Sequence, residues 1–266
     1  MKDCCVSVDY KYISGASEYF IAAHEIKNRT LPCCVAVSVI EGEYFVDFQN
    51  AAVSLGPGDT ILIQSFVRHS VRMTERGKIT HSHFLCSYAT IDIFNLADVN
   101  YLVVQDTSIR ELIDSLNRQD HKNEIVNKVC IDRLLSELIL FLFKNNLIHP
   151  KKMRIDPWLN TTLQYIHSHI DKGITIEEVV PISGYSKTTF YKMFKSKMKL
   201  SPHEYIESER FKVATLLLLE GEKVKDVAQA AGFNDTTYFY KVFKRKYGIT
   251  PTEYKRRMNY IRGETR

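Results

Sequence analysis

Two short segments of the chain carry lysine, threonine and tyrosine side chains at spacings that suit contacts with a polyanion. The first contains Lys187, Thr188, Tyr191, Lys192 and Lys195, and the second contains Thr236, Thr237, Tyr240, Lys241, Lys244 and Arg245. Cationic groups bind phosphate oxygens, and threonine and lysine can also reach base edges in the major groove of DNA. Residues three and four apart share one helix face, so each set would form a polar, cationic face. The chemistry that these residues favour is therefore DNA binding.

Each polar face has an apolar face behind it. Phe190 and Phe194 lie four residues apart in the first segment, as do Phe239 and Phe243 in the second. This spacing places each pair on one buried side of a short helix. The phenylalanines therefore anchor the helix, and the polar residues are left to face a partner.

A tight turn precedes each segment. Gly184 and Gly232 stand where a short amphipathic helix ends, and glycine tolerates the left-handed position beyond a helix C-terminus. Ser186, Asn234 and Asp235 follow, and such side chains cap helix N-termini well. Helix, tight turn and second helix predict a helix-turn-helix. For one copy alone, two solvated helices that contain lysine would be an equally good interpretation.

The two units are copies of one pattern within residues 175–257. The glycines are offset by 48 residues, and the offset is 49 from the phenylalanines through Ser201-Pro202 and Thr250-Pro251. So many matched positions rarely arise by chance, so we interpret them as an internal repeat. The repeat favours DNA recognition over a pair of solvated helices.

The repeat resembles the DNA-binding domain of the AraC/XylS family of bacterial transcription regulators. The matching segments are Gly184-Tyr185-Ser186-Lys187, Met193-Phe194-Lys195, Asp226-Val227-Ala228, Gly232-Phe233, Tyr238-Phe239, Val242-Phe243-Lys244 and Thr250-Pro251-x-Glu253-Tyr254. The second copy matches the family signature at nearly every position. The resemblance implies a sequence-specific transcription regulator, expected to be an activator, with double-stranded DNA and RNA polymerase as partners and no cofactor.

The resemblance also divides the polar residues by role. It assigns base contacts to Thr188, Tyr191 and Lys192 in the first unit, and to Thr236, Thr237 and Lys241 in the second. Lys187, Lys195, Lys244 and Arg245 are expected to contact phosphates, and Tyr240 lies on the same face. Two units on one connecting helix are expected to enter successive major grooves about 34 Å apart, which gives an asymmetric site of about 15–20 base pairs.

Length and charge agree with two domains of different character. The 266 residues carry a net charge of +5. Residues 156–266 hold 19 Lys and Arg against 13 Asp and Glu, whereas residues 1–155 hold 17 against 18. The basic half is the one that contains the repeat, as expected for a polyanion-binding domain. The chain has no run of 18 apolar residues and no signal-peptide pattern, so we expect a cytoplasmic protein without a membrane partner.

The N-terminal half is predicted to be rich in strands. Apolar and β-branched runs separated by turn residues predict strands near 33–39, 43–48, 60–66 and 80–88. The stretch from Leu55-Gly56-Pro57-Gly58-Asp59 to His69-Ser70-Val71 resembles the second half of a cupin barrel motif, although Gln64 and Phe66 depart from it. Many AraC-type regulators carry this fold ahead of the DNA-binding domain. The predicted fold is an N-terminal cupin-like β-barrel with helices, followed by an all-α double helix-turn-helix domain.

The resemblance implies an apolar pocket in the barrel whose small-molecule occupant controls DNA binding or dimerisation. Candidates at its mouth are Tyr12, His24, Arg68 and His69, and Arg68 would suit an anionic group. The alternative is a barrel filled by its own side chains.

Neither a metal site nor an active site is predicted. The His-x-His pair that metal cupins carry before this motif is missing, because His81-x-His83 follows it. We interpret His69, His81 and His83 as surface or hydrogen-bonded histidines. The six cysteines lie in the N-terminal half without C-x-x-C spacing, so buried free thiols are expected. A soft-metal or redox sensor at the pairs Cys4-Cys5 and Cys33-Cys34 is the alternative.

Helical segments complete the N-terminal half. A helix near 122–145 has a wide apolar face, which could cover the barrel, pair with a second chain in a homodimer, or do both. The predicted boundaries are 1–147 for the regulatory and dimerisation domain, 148–156 for the linker and 157–262 for the DNA-binding domain. Pro181 is expected to shorten or kink the first helix of the repeat.

Other functions require sequence patterns of their own. A cupin-type enzyme fused to a DNA-binding domain would need metal ligands, and repair-type relatives depend on a cysteine-bound zinc; neither pattern is present. A structural nucleoid protein would not need two distinct reading helices. A ligand-independent DNA-binding anti-repressor remains the alternative to a ligand-controlled activator. The length and domain plan also resemble those of regulators of virulence genes.

Overall fold

The computed structural model describes residues 8–88, 91–119, 123–149, 156–198 and 200–261, without the side chains of residues 95–96 and 257–261. The chain forms two compact units, residues 1–154 and 155–266. Most of the predicted linker, 148–156, and the pair Cys4-Cys5 lie outside the described residues.

The first unit contains two antiparallel sheets. Its strands are β1 (Val8–Phe20), β2 (His24–Arg29), β3 (Cys34–Glu41), β4 (Tyr44–Phe48), β5 (Ala52–Leu55), β6 (Thr60–Ile63), β7 (His69–Met73), β8 (Gly77–Tyr88), β9 (Ile91–Asp92) and β10 (Tyr101–Val104). The first sheet has the order β1-β8-β3-β6-β10, with β9 paired to β8, and the second has the order β2-β7-β4-β5. The four strands predicted from apolar runs correspond to β3, β4, β6 and β8.

The two sheets face each other in a barrel-like arrangement. Phe48 of β4 stacks on Tyr101 of β10 with ring centroids 4.3 Å apart, which joins the sheets at one end. No described strand hydrogen-bonds to both sheets, so the arrangement is not closed by backbone pairing. β3 is buried on both faces because it lies between the second sheet and a layer of helices, which explains its continuous apolar run.

Helices cover the outer face of the first sheet. These are α1 (Ile93–Leu96), α2 (Thr107–Asn117) and α3 (Glu124–Lys144). Leu134, Leu135 and Leu138 of α3 are buried in one cluster with the sheet, as the cover interpretation predicts. The opposite side of α3 stays exposed, and Ile125 retains 76% of its accessible surface and Val129 62%.

The second unit is entirely helical where the structure describes it. It contains α4 (Pro157–Ser168), a 3-10 turn (Ile170–Lys172), α5 (Ile176–Ser183), α6 (Lys187–Met198), α7 (Pro202–Leu219), α8 (Val224–Ala230), α9 (Thr236–Tyr247) and α10 (Pro251–Ile261). The combination of a sheet-rich N-terminal unit and a helical C-terminal unit confirms the predicted fold class. Within the described ranges, no helix is long and apolar enough to cross a bilayer.

The helix ends follow the sequence signals. Glu178 accepts a hydrogen bond from the Thr175 backbone N–H at 2.8 Å, so the predicted capping box opens α5. α5 continues through Pro181 and ends at Ser183 after eight residues. It is therefore a short helix that is terminated by the left-handed Gly184 rather than by Pro181.

Candidate nucleic-acid interface

The first helix-turn-helix consists of α5 and α6. The phenylalanine pair, Phe190 and Phe194, is fully buried, with ring centroids 5.3 Å apart. The opposite side of α6 bears the predicted contact residues. Lys187, Thr188, Lys192 and Lys195 are exposed, and Tyr191 is half-buried. The burial of two rings thus fixes which side of α6 solvent or a partner can reach.

The second helix-turn-helix, which consists of α8 and α9, repeats this arrangement. Phe239 and Phe243 are fully buried, and Asp235 caps α9 by accepting a hydrogen bond from the Thr237 N–H at 2.7 Å. The predicted contact residues again share the opposite side. Thr237, Lys241, Lys244 and Arg245 are exposed, and Thr236 and Tyr240 are half-buried.

α7 joins the two units through aromatic packing. Near its N-terminus, the ring of Tyr205 lies 5.4 Å from that of Phe194. Further along, the ring of Phe211 lies 6.0 Å from that of Phe243 and 5.4 Å from that of Phe233. Both buried phenylalanine faces therefore pack against one continuous helix, which ties the orientation of α6 to that of α9.

A close backbone approach adds a second connection between the units. A side chain at Gly232 would place its Cβ 2.0 Å from the carbonyl oxygen of Ile170. Arg210 of α7 donates a hydrogen bond through Nη2 to the Ile174 carbonyl at 3.0 Å. The segment that enters the first helix-turn-helix is thus packed against the turn of the second.

Two of the predicted phosphate contacts already have acidic neighbours. Lys187 Nζ lies 2.9 Å from Glu177 Oε1, and Arg245 Nη2 lies 4.0 Å from Glu207 Oε1. The hydrogen bond from Lys187 lowers the pKa of Glu177 and raises the pKa of Lys187 itself. Exposed ion pairs of this kind are weak, so a DNA phosphate can take the place of the carboxylate.

The two tyrosines of the polar faces contact residues outside the predicted set. The ring centroids of Tyr191 and His203 lie 6.0 Å apart, and Tyr240 Oη lies 3.0 Å from Thr252 Oγ1. His203 and Thr252 are each the second residue of the helix that follows, α7 or α10. The 49-residue offset relates them to each other, so the repeat itself could have identified both.

The four candidate ligand residues do not converge on one point. Tyr12 packs against the cluster beneath α2 and α3, and its hydroxyl donates to Asn117 at 3.1 Å. Arg68 is exposed ahead of β7, and His24 stacks on Phe20 with centroids 4.9 Å apart. His69 is buried, with 3% exposure, and faces the space between the sheets.

The cysteines that the structure describes are buried or half-buried. Burial raises the pKa of Cys33 to about 12 and the pKa of Cys34 well above its usual range, so both thiols stay protonated. Cys86 is also a buried free thiol, and Cys130 is half-buried. No cluster of three or more His, Cys, Asp or Glu side chains able to hold a metal ion occurs in this part of the chain.

Comparisons with known proteins agree with this geometry. Residues 181–257 match a family described as a helix-turn-helix domain. The regulatory protein SoxS of Salmonella typhimurium is 32% identical over 76 residues, which are 28% of this chain and 71% of SoxS. The probable transcriptional regulator LumQ of Photobacterium leiognathi is 26% identical over 196 residues, which are 73% of this chain and 77% of LumQ.

The fold of the whole chain also has a solved counterpart. The structure of unsaturated fatty acid bound ToxT from Vibrio cholerae aligns with a TM-score of 0.59 over 96% of both chains. Sequence identity is 15%, so this likeness concerns the fold alone.

Proposed function

The chain belongs to the AraC/XylS family of transcription regulators, and we propose that it is an activator in which α6 and α9 read one asymmetric DNA site. The observation that carries this proposal is the repeated geometry of the two helices. Each presents an exposed row of lysine and threonine opposite two fully buried phenylalanines, and both rows are anchored to α7. Successive major grooves on one face of B-DNA lie about 34 Å apart, a spacing that two units on one rigid helix can match.

In this proposal the residues divide by role as their positions suggest. Thr188, Tyr191 and Lys192 contact bases in one half-site, and Thr236, Thr237 and Lys241 contact bases in the other. Phosphate contacts come from Lys187, Lys195, Lys244 and Arg245, with Tyr240 at the edge of the second surface. Threonine methyl groups suit the thymine C5-methyl, and lysine can donate to guanine O6 or N7. The absence of arginine and glutamine from these positions favours tolerant, A·T-rich sites.

We propose that residues 1–147 regulate this activity, that residues 148–156 form the linker and that residues 157–262 form the DNA-binding domain. A small molecule held between the two sheets is the proposed signal, since the protein of similar fold was solved with an unsaturated fatty acid bound. The exposed side of α3, with Ile125, Val129 and Leu140, is the proposed surface for a homodimer.

The remaining partners follow from the family. An activator acts on RNA polymerase at a promoter, in the cytoplasm, and needs no catalytic chemistry of its own. Virulence genes are among the proposed targets. A ligand-independent anti-repressor is the second candidate. The exposed apolar side of α3 favours it, because dimerisation through that side would control DNA binding without a ligand.

Genome-wide mapping of DNA bound by the full-length chain tests this function. We expect a limited set of sites upstream of genes, sharing an asymmetric sequence of about 15–20 base pairs. Uniform binding along the genome would instead indicate a nucleoid protein. Transcript levels at the mapped sites, with and without the chain, distinguish an activator from a repressor.

A further inference from the structure

Two rows of side chains meet at one end of the space between the sheets. In the first sheet, cross-strand pairing aligns Ser14, His83, Val35, Ile63 and Tyr101. In the second sheet it aligns Arg29, His69 and Phe48. Cross-strand partners point to the same face of a sheet. The stacking of Phe48 on Tyr101 shows that both rows face inward.

His69 is held in a neutral form at this end. Arg29 Nε donates a hydrogen bond to His69 Nε2 at 2.9 Å, and His69 Nδ1 lies 2.8 Å from the Val67 carbonyl oxygen, to which it donates. Only the neutral ring can accept at one nitrogen and donate at the other. Burial and then the Arg29 guanidinium lower the pKa of His69 to about 3. His69 therefore orients Arg29 but does not neutralise it.

His83 lies opposite with one ring nitrogen unused. Its side chain is buried, with 3% exposure, and Nδ1 lies 3.5 Å from Ser14 Oγ. Nε2 is fully buried and has no hydrogen-bond partner among the described residues. Burial, followed by His81, Arg29 and His69, lowers the pKa of His83 well below its usual range. A buried polar atom without a partner is rare in folded proteins, so a missing group is expected next to Nε2.

Arg29 likewise has no direct ion-pair partner in the part of the chain that the structure describes. The guanidinium is half-buried and hydrogen-bonds His69 and the hydroxyl of Tyr44, but forms no ion pair with any carboxylate in the described part of the chain. Glu18 on β1 is exposed and acts electrostatically on His81 and Tyr44 without pairing with Arg29. A half-buried cation without an ion-pair partner is stabilised by a bound counter-ion.

We propose that the space between the sheets binds an organic monoanion whose carboxylate pairs with Arg29 and accepts a hydrogen bond from Nε2 of His83. The planar guanidinium matches a carboxylate well, and one cation compensates one negative charge. The apolar part of the ligand would lie along the inward residues of the next rows, Val37, Val46 and Val71, all of which are buried. This inference rests on the proposed control by a small molecule and names its chemical class and its contacts.

Thermal unfolding of the full-length protein with three probes tests the class of ligand. Hexanoate should raise the melting temperature in proportion to the logarithm of its concentration above its Kd. Hexanamide, which has the same shape without the charge, should give a much smaller shift, and inorganic phosphate should give none. An equal shift with hexanamide would overturn the proposal in favour of a neutral ligand. A shift with phosphate alone would overturn it in favour of an inorganic anion, and the absence of any shift would overturn it outright.

Two variants test the contacts, with one matched control. Arg29→Gln and His83→Phe should each weaken hexanoate binding about tenfold or more, because each removes a charge-assisted hydrogen bond. His83→Phe should also raise the melting temperature without hexanoate, since it removes the unpartnered nitrogen; this arm remains decisive if Arg29→Gln does not fold. Arg72→Gln should bind hexanoate like the unchanged protein, because Arg72 lies on the outer face of the same sheet, over the ring of Phe45.

The outcomes separate this inference from the proposed regulatory function. Unchanged hexanoate binding in both variants would show that Arg29 and His83 are not the contacts and would overturn the proposal. DNA binding of the same protein, measured by gel shift, reports on the regulatory function independently. Intact DNA binding without any hexanoate effect would remove the anion site and leave the DNA-binding role standing.

Discussion

Lys241 and Lys244 of α9 are both exposed and lie on either side of the buried Val242 and Phe243. Their positions predict different roles, with Lys241 at a base and Lys244 at a phosphate. Lys241→Ala should cost about 1–3 kcal/mol at the cognate site and relax the sequence preference there. Lys244→Ala should weaken binding to cognate and scrambled duplexes alike. It should also reduce, by about one, the steepness with which the logarithm of the binding constant falls with the logarithm of the salt concentration. Fluorescence titration of both duplexes at two salt concentrations measures these effects.

The two lysines serve as controls for each other, since both variants remove one positive charge from the same helix. The opposite pattern would mean that α9 lies in the groove rotated from the proposed position. In that case Lys241→Ala would lose affinity equally for both duplexes, and Lys244→Ala would lose affinity only for the cognate one.

The buried histidines between the sheets predict a loss of stability in acid. Burial lowers the pKa of His69, His81 and His83; Arg29 adds to each shift, and Glu18 opposes it at His81. The folded state thus keeps them neutral, while the unfolded chain takes up protons below a pKa of about 6.5. Stability is therefore fully present above pH 6.5 and falls as the pH drops below it. Each histidine that stays neutral in the folded state lowers the free energy of unfolding by about 1.4 kcal/mol at pH 5.5, relative to neutral pH.

Thermal unfolding between pH 7.5 and 5.5, followed by the circular dichroism of the sheets, measures this effect. The His83→Phe variant should show a weaker dependence on pH, because one proton-binding group is gone. A melting temperature that stays constant over this range would show that the three rings are not held neutral.

At the residue scale, local spacing indicates the proposed DNA-contact faces but not the proposed anion site. The buried phenylalanine pairs and the cap at Asp235 follow from positions within one turn of helix, and the structure has them as expected. Local spacing does not indicate Arg29 and His83, because β2 and β8 belong to different sheets and the two side chains come near each other only where those sheets face each other. Residue type alone suggests Arg68 as a contact for an anion, and the structure places that side chain in solvent.

At the scale of elements, the turn of each helix-turn-helix offers a matched comparison. Gly184 and Gly232 have nearly the same backbone conformation, with φ of 72° and 75°. A Cβ at Gly184 would meet no atom within 4 Å, whereas one at Gly232 would lie 2.0 Å from the Ile170 carbonyl oxygen. Gly184→Ala should therefore cost only the strain of a positive φ, about 1–2 kcal/mol. Gly232→Ala should lower the free energy of unfolding by more, because it also displaces the segment that enters the first helix-turn-helix.

Urea unfolding followed by tryptophan fluorescence measures this difference. Trp158 is the only tryptophan of the chain. It lies in α4, with its ring 5.3 Å from that of Tyr185 in the turn of the first helix-turn-helix. Its signal therefore reports on the helical domain alone. Equal losses of stability in both variants would show that the contact between Gly232 and Ile170 does not connect the two helix-turn-helix motifs.

The helices of this chain were easier to predict than its strands, for a physical reason. Helix ends depend on nearby signals such as the capping boxes at Thr175 and Ser201, both of which are present. The predicted strands were those with apolar runs. β1 escaped detection because most of its side chains are exposed or half-buried, and its register depends on β8, more than fifty residues away.

At the scale of the whole molecule, charge and fold divide the same way. The positive balance falls on residues 156–266, which contain both helix-turn-helix units, and the nearly neutral half contains the sheets. A basic domain attracts DNA of any sequence, and specificity must come from groove contacts. Residues 156–266 should therefore retain specific DNA binding when produced alone. A gel shift in which only the full-length chain binds specifically would show that contacts within residues 1–155 supply needed affinity.

We propose that one chain reads two successive major grooves through α6 and α9. Hydroxyl-radical footprinting of the full-length protein on a cognate promoter fragment tests it most directly. We expect two protected tracts per bound chain, centred about 10 base pairs apart on one face of the duplex. The Lys192→Ala and Lys241→Ala variants should each weaken protection in a different tract. A single protected tract per chain, or one tract weakened by both variants, would show that α6 and α9 do not read two successive grooves.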